Sequence, residues 1–187
     1  MKRDLSLRAV ATAVLLGLLL GPLPADAMSE AVRLMNHSSE AIVKQRYAEA
    51  EQLARRALER DPGLADAHYD LALALKYQGR HDEAVQHLQT ALEMFPQTSE
   101  NNIAKCLYGL PLIHEIKRDF QAAAEAWQKY IAFAKQHPGQ RETQATAEKH
   151  LGLMQKLMSE QLRQRQAGAG AKPTSPTSPA APPATVP

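Results

Sequence analysis

Residues 65–96 read ADAHYDLALALKYQGRHDEAVQHLQTALEMFP. Packing residues recur at His68, Leu71, Ala72 and Leu75, then at Ala84, Leu88, Ala91 and Leu92, the three-to-four spacing that gives a helix one buried face. Gly79 marks the break between the two runs. A shift of 34 residues lays Ala50 on Ala84, Ala54 on Leu88, Ala57 on Ala91 and Pro62 on Pro96. The chain therefore repeats a helix-turn-helix unit with a fixed period.

A unit of this kind and length resembles the tetratricopeptide repeat, whose pattern is an aromatic, Leu-Gly, Tyr, then Ala-x-x-x-Phe and a closing Pro. Here those places hold His68, Leu71-Ala72, Leu75, Ala84 with Leu88, and Pro96. Ala72, Ala84 and Ala91 fall where helices would cross closely, and a larger side chain there would force them apart. A first unit over residues 29–62 offers Leu34, His37-Ser38, Ala41, Ala50, Ala54, Ala57 and Pro62; it departs from the pattern at His37, Ala41 and Ala54. Asp61-Pro62-Gly63 ends its second helix. A third unit over 104–138 places Leu107, Leu110 and His114 on its first helix, with Ala123 and Trp127 on its second. Ala84 and Ala123 are 39 apart, so five extra residues are expected within Gln97 to Asn102, and Pro111 is expected to bend the first helix or split it near Gly109.

Residues 141–166 carry Ala147, Leu151, Met154, Met158 and Leu162 on one stripe, as expected of a helix that covers the open end of a solenoid. Leu151-Gly152 echoes the Leu-Gly of a fourth first helix, and Arg163 to Arg165 reads as a solvated helix end. The expected fold is all-α, a short right-handed tetratricopeptide-like solenoid of about three units (28–140) with a C-terminal capping helix. Residues 167–187 hold six of the twelve prolines and nothing to bury, which predicts a disordered tail.

The N-terminus is a separate segment. Lys2, Arg3 and Arg8 precede an uncharged run from Ala9 to Leu20, and Ala25-Asp26-Ala27 is a small-x-small pattern, so residues 1–27 read as a signal peptide cut after Ala27. The alternative is an uncleaved anchor, although the run is shorter than the roughly 20 residues that span a bilayer. No Cys follows it for lipid attachment. The expected location is periplasmic or secreted, with no stable membrane insertion after cleavage. Cleavage would remove three of the 22 basic and two of the 20 acidic residues, leaving 19 against 18, and a nearly neutral chain offers no basic surface for nucleic acid. Cys106 is the only cysteine, which excludes an intramolecular disulfide; it is expected to be buried as a small apolar residue.

The resemblance implies that the first helix of each unit lines a concave groove. Carried over, the groove positions are Val32, Met35, Ser39, Ile42 and Val43; then Asp66, Tyr69, Leu73, Lys76 and Tyr77; then Lys105, Tyr108, Leu112, Glu115 and Ile116. Met35, Tyr69, Leu73, Lys76, Tyr77, Lys105, Tyr108 and Leu112 are the candidate partner-binding residues. The Tyr side chains supply large contact area at low entropic cost, and Lys76 and Lys105 supply polar contacts. Several of these residues could instead serve only to pack neighbouring helices. The Lys and Asn clamp that some family members use for C-terminal carboxylates is missing here.

Nothing reads as catalytic. The seven His include no pair at i, i+4 and no HExxH, so neither a metal site nor a cofactor is expected. His37, His68 and His114 fall on packing positions, His81 and His87 on the expected surface, and Trp127 in the expected core. The functional expectation is an exported, non-enzymatic adaptor that holds a peptide or helix of an envelope protein. The alternatives are an accessory subunit of an envelope enzyme or assembly complex, such as cytochrome maturation or cell-wall synthesis, and a self-associating solenoid. The oligomeric state stays open.

Overall fold

The computed structural model describes residues 25–170; residues 1–24 of the expected signal segment and residues 171–187 of the expected tail lie outside the described residues, while 25–27 and 167–170 fall in the first and last helices. Seven α-helices follow one another: α1 Ala25–Val43, α2 Tyr47–Arg60, α3 Ala65–Tyr77, α4 His81–Met94, α5 Glu100–Ile116, α6 Phe120–Gln136 and α7 Arg141–Gly170, with a 3-10 turn over Pro138–Gln140. No strand occurs among the described residues. Each helix packs on the next, and α1 also packs on α3. Ser39 Oγ donates to Asp70 Oδ2 at 2.6 Å and Asn102 Nδ2 to Asp66 Oδ1 at 3.4 Å, so α1, α3 and α5 form one layer. The fold is an all-α solenoid of helix pairs.

One turn geometry is used three times. The α1–α2, α3–α4 and α5–α6 turns each contain a residue at positive φ: Gln45 (59°), Gly79 (82°) and Arg118 (59°). In each, the next amide reaches back across the turn, from Arg46 to the Ala41 carbonyl, Arg80 to Leu75 and Asp119 to His114, at 2.8, 2.9 and 3.0 Å. This Schellman closure satisfies the last carbonyls of the first helix and reverses the chain. Only the middle unit has the residue that enters this conformation without a Cβ penalty. The salt bridges recur as well: Arg46 to Glu49 in the first unit and Arg80 to Glu83 in the second.

The small residues lie where the period placed them. Ala50, Ala54, Ala57, Ala72, Ala84, Ala91 and Ala123 are fully buried. Between units, a Cβ on Gly109 would meet Leu88 Cδ1 at 3.2 Å, so the backbone of α5 lies directly on α4. Pro111 does not split α5: the helix is continuous from Glu100 to Ile116 with Pro111 buried inside it. Burial of the ring in the core offsets the hydrogen bond that its nitrogen cannot donate.

Helix α7 is held by a carboxylate. Glu115 Oε1 of α5 accepts from Trp127 Nε1 of α6 at 2.6 Å and lies 2.9 Å from His150 Nδ1 of α7. The His150 and Trp127 rings lie 4.9 Å apart, so α7 meets α6 through the pair that corresponds to Gly109 and Leu88 one unit earlier. Helix α7 therefore occupies the place of a fourth first helix. Along its expected stripe, Ala147 and Met154 are buried and Leu151 and Met158 half-buried, whereas Leu162 is 58% exposed. The stripe outruns its partner: Met158 and Leu162 already lie beside Phe120, the start of α6, while α7 continues past Ala167 to Gly170.

His37 corrects another expectation, being exposed and beside Glu40, while the neighbouring Ser38 is the buried residue, donating to the Ala50 carbonyl.

Two stability outcomes follow from the turns and the carboxylate. Gly79→Ala should cost about 1 kcal/mol, since open space surrounds the position and only its φ resists a Cβ, while Gln45→Gly should gain up to about 1 kcal/mol in urea denaturation. Glu115→Ala should cost roughly 1–3 kcal/mol by leaving Trp127 and His150 unpaired, and Glu115→Gln, which still accepts from Trp127, should recover part of it.

Candidate functional site

The first helices α1, α3 and α5 present the groove positions, and the structure divides them into three groups. Met35, Tyr69, Tyr108 and Leu112 give part of their surface to the core. Tyr69 packs on the cluster that contains Cys106, and burial pushes its phenol up to about 12. Leu73 is half-buried and belongs to none of the core clusters among the described residues. Tyr77 is 55% exposed, stacked 4.4 Å from Tyr47, with Lys76 Nζ 5.0 Å from its ring centre.

Lys105 and Tyr108 share a cavity of about 380 Å³ with Asn101, Ala104, Tyr130, Gln140 and Thr143. Tyr108 stands edge-on to Trp127 and Tyr130, each 5.1 Å away, and the Tyr130 hydroxyl meets Thr143 Oγ1. The structure does not bring Tyr77 to this cavity. Tyr130 escaped the sequence reading, although a signal was there: it lies 39 residues after Ala91, so unit three carries an aromatic at a position of closest approach. Asn101 lies in the first turn of α5, Gln140 in the 3-10 turn and Thr143 in the first turn of α7, outside the positions that the repeat pattern fixes.

The groove positions at the end of each first helix behave alike. Val43, Tyr77 and Ile116 are equivalent residues, and they are 83%, 55% and 52% exposed. Repeat register then places Leu153 of α7, 49% exposed, in line with Leu73 and Leu112. Exposed apolar surface thus recurs along the first-helix layer, with Tyr77 giving one ring face to Tyr47.

The charged groups nearby are constrained. Asp70 is 6% exposed; burial pushes its carboxyl up to about 6, partly opposed by the Ser39 hydroxyl bond, while the neighbouring Asp66 adds to the rise. Cys106 is fully buried, and burial lifts its thiol to about 12, which leaves it protonated and inert.

His87 is not on the open surface as expected. It is half-buried, with Nδ1 3.0 Å from Nδ1 of His68. His68 Nε2 must donate to the Pro62 carbonyl, 3.2 Å away, so His68 Nδ1 accepts and His87 Nδ1 donates. Burial lowers both pKa values, keeping the pair neutral. His81 is likewise half-buried. Among the described residues no group of three His, Cys, Asp or Glu could hold a metal ion, and no helix is long and apolar enough to cross a membrane.

Helix pairs stacked through repeated turns, with one layer of first helices, define a helical-repeat scaffold. Residues 41–105 match the family model of the tetratricopeptide repeat. The match runs from the end of α1 to the start of α5 and stops before Pro111. Among solved structures, the tetratricopeptide domain of Sgt2 from Aspergillus fumigatus is 22% identical, with a TM-score of 0.56 over 81% of this chain and 91% of that one; at this identity the likeness is one of fold. No curated protein matches the chain. A scaffold of this kind serves protein–protein interaction.

The Asp70 environment gives a pH dependence of known sign. A folded-state value raised to about 6 from 3.8 means that the native state binds more protons than the unfolded chain between those values. The contribution is therefore fully present below about pH 3.8 and is lost as pH rises through 6. Asp70→Asn, which still accepts from Ser39, should stabilise the fold by roughly 1–2 kcal/mol at pH 7.5, with the gain shrinking as pH falls toward 4 in urea titrations.

Proposed function

We propose that the protein is an exported adaptor that holds a peptide or helix of an envelope partner along its first-helix layer, without catalysis of its own. The observation that carries this reading is the row Val43, Tyr77 and Ile116. An apolar residue recurs at one repeat position and stays more than half exposed even where Tyr77 stacks on Tyr47, and exposed apolar rows mark interaction surfaces. Leu73, Leu112 and Leu153 widen the row, and Lys76 and Lys105 flank it with cations. A partner helix would use its own i, i+3, i+4 and i+7 residues against such a strip. The export half of the proposal rests on the basic, apolar and small-residue order of residues 1–27.

The test uses the full chain in cells, with a photo-crosslinking amino acid at Tyr77, Ile116 or Leu73 and, as control, at Gln86 on the exposed side of α4. The expected outcome is one crosslinked partner from the three first-helix positions and none from Gln86, in a product whose N-terminal sequence begins at Met28. Crosslinks to a second copy would favour self-association instead. An intact N-terminus in the cytoplasmic fraction would remove the export half while leaving the groove half to the crosslinks.

A further inference from the structure

A cleft of about 670 Å³ lies at the edge of the solenoid, between the α5–α6 turn and the overhanging end of α7. The α7 wall is one helical face: Met158, Gln161, Leu162 and Arg165 follow the i, i+3, i+4, i+7 spacing. The opposite wall is Lys117, Arg118, Phe120 and Gln121. Phe120 is buried and Met158 half-buried, and Leu162 remains mostly open to solvent, so the apolar floor is unfinished.

The charges around this floor do not cancel. Lys117 is paired with Asp82. Asp119, the one carboxylate in the lining, has Oδ1 committed to the Ala122 amide at 3.2 Å. Arg118 and Arg165, like Arg33, Arg56 and Arg163, have no carboxylate within ion-pair distance among the described residues, whereas Arg46, Arg55, Arg60 and Arg80 do.

We propose that this cleft binds an acidic segment of a partner protein, with carboxylates on Arg118 and Arg165 and an apolar side chain between them over Phe120, Met158 and Leu162. The guanidinium fork matches a carboxylate and is weakly hydrated, so it binds well beside apolar surface. An inorganic anion would leave the floor uncovered, and a flat lipid surface cannot enter a recess between a turn and a helix. The site uses none of the residues of the Val43, Tyr77 and Ile116 row, although its Lys117–Arg118 wall begins directly after Ile116, and it does not require that row.

The backbone supplies a clean test. Arg118 sits at φ 59°, where Gly is the unstrained residue, so Arg118→Gly removes the guanidinium while making the fold more stable. Fluorescence anisotropy with the full chain would use a labelled peptide alternating Glu and Leu, with Lys/Leu and Glu/Ser peptides as controls. The Glu/Leu peptide should bind saturably, more weakly as salt rises, and the Lys/Leu peptide should not bind. Arg118→Gly and Arg165→Gln should each weaken binding on the order of fivefold, and the former should do so with a raised melting temperature. The proposal is overturned by a parent chain that fails to bind the Glu/Leu peptide, or by a double variant that binds it undiminished. Loss in Tyr77→Ala instead would move the acidic preference to the first-helix row. Binding of anionic phosphatidylglycerol vesicles through both arginines, without peptide binding, would replace the partner by a membrane.

Discussion

The close approach of helices at Ala50, Ala84 and Ala123 is the constraint on which the rest of the structure depends. Each of these residues is fully buried, and each sits one turn into the second helix of its unit. A methyl group there lets the paired helices meet along their length, which fixes the angle at which the next pair must stack. The repeated turn works with this contact. Its back-bonded amides close the first helix at the same residue every time, so the apolar face of the second helix always returns onto the first.

Unit three keeps that plan while enlarging its contents. Where unit two has Leu88 and Ala91, unit three has Trp127 and Tyr130, both buried. Rings of this size need polar partners for their N–H and O–H groups, and the neighbouring elements supply them: Glu115 for Trp127, and Thr143 with Gln140 for Tyr130. The same contacts bind α7 to the array. The capping helix is therefore anchored by directional bonds as well as by Ala147 and Met154, and its far end is free to form the wall of a cleft.

Much of this was legible in the residues. The 34-residue period, the buried alanines, Cys106 and Trp127 in the core and the lone last helix all follow from apolar spacing, because spacing acts within one helix. The readings that failed concern single residues facing two ways. The split that Pro111 could have caused does not occur: the residue carries a high intrinsic penalty for a helix interior, yet the helix stays continuous around it. His87 has polar neighbours in sequence, but its partner is His68, nineteen positions away on another helix. Leu162 belongs to the apolar stripe of α7, but that stripe extends beyond anything it can pack against.

The sequence by itself determined the helices, their pairing into units and the repeat register, since each depends on contacts within about one period of the chain. Only the tertiary structure decided which groove residues keep free surface. Tyr69 and Tyr108 turn partly into the core while Tyr77 stays open, although all three are tyrosines on first helices. The reason is physical: exposure depends on what the neighbouring helices present, and here that is Cys106 of the next unit beside Tyr69, Trp127 and Tyr130 of the same unit beside Tyr108, and the Tyr47 ring with no core cluster beside Tyr77. The pairing of Arg118 with Arg165 across one cleft is of the same kind, for it brings together a turn and a helix end 47 residues apart.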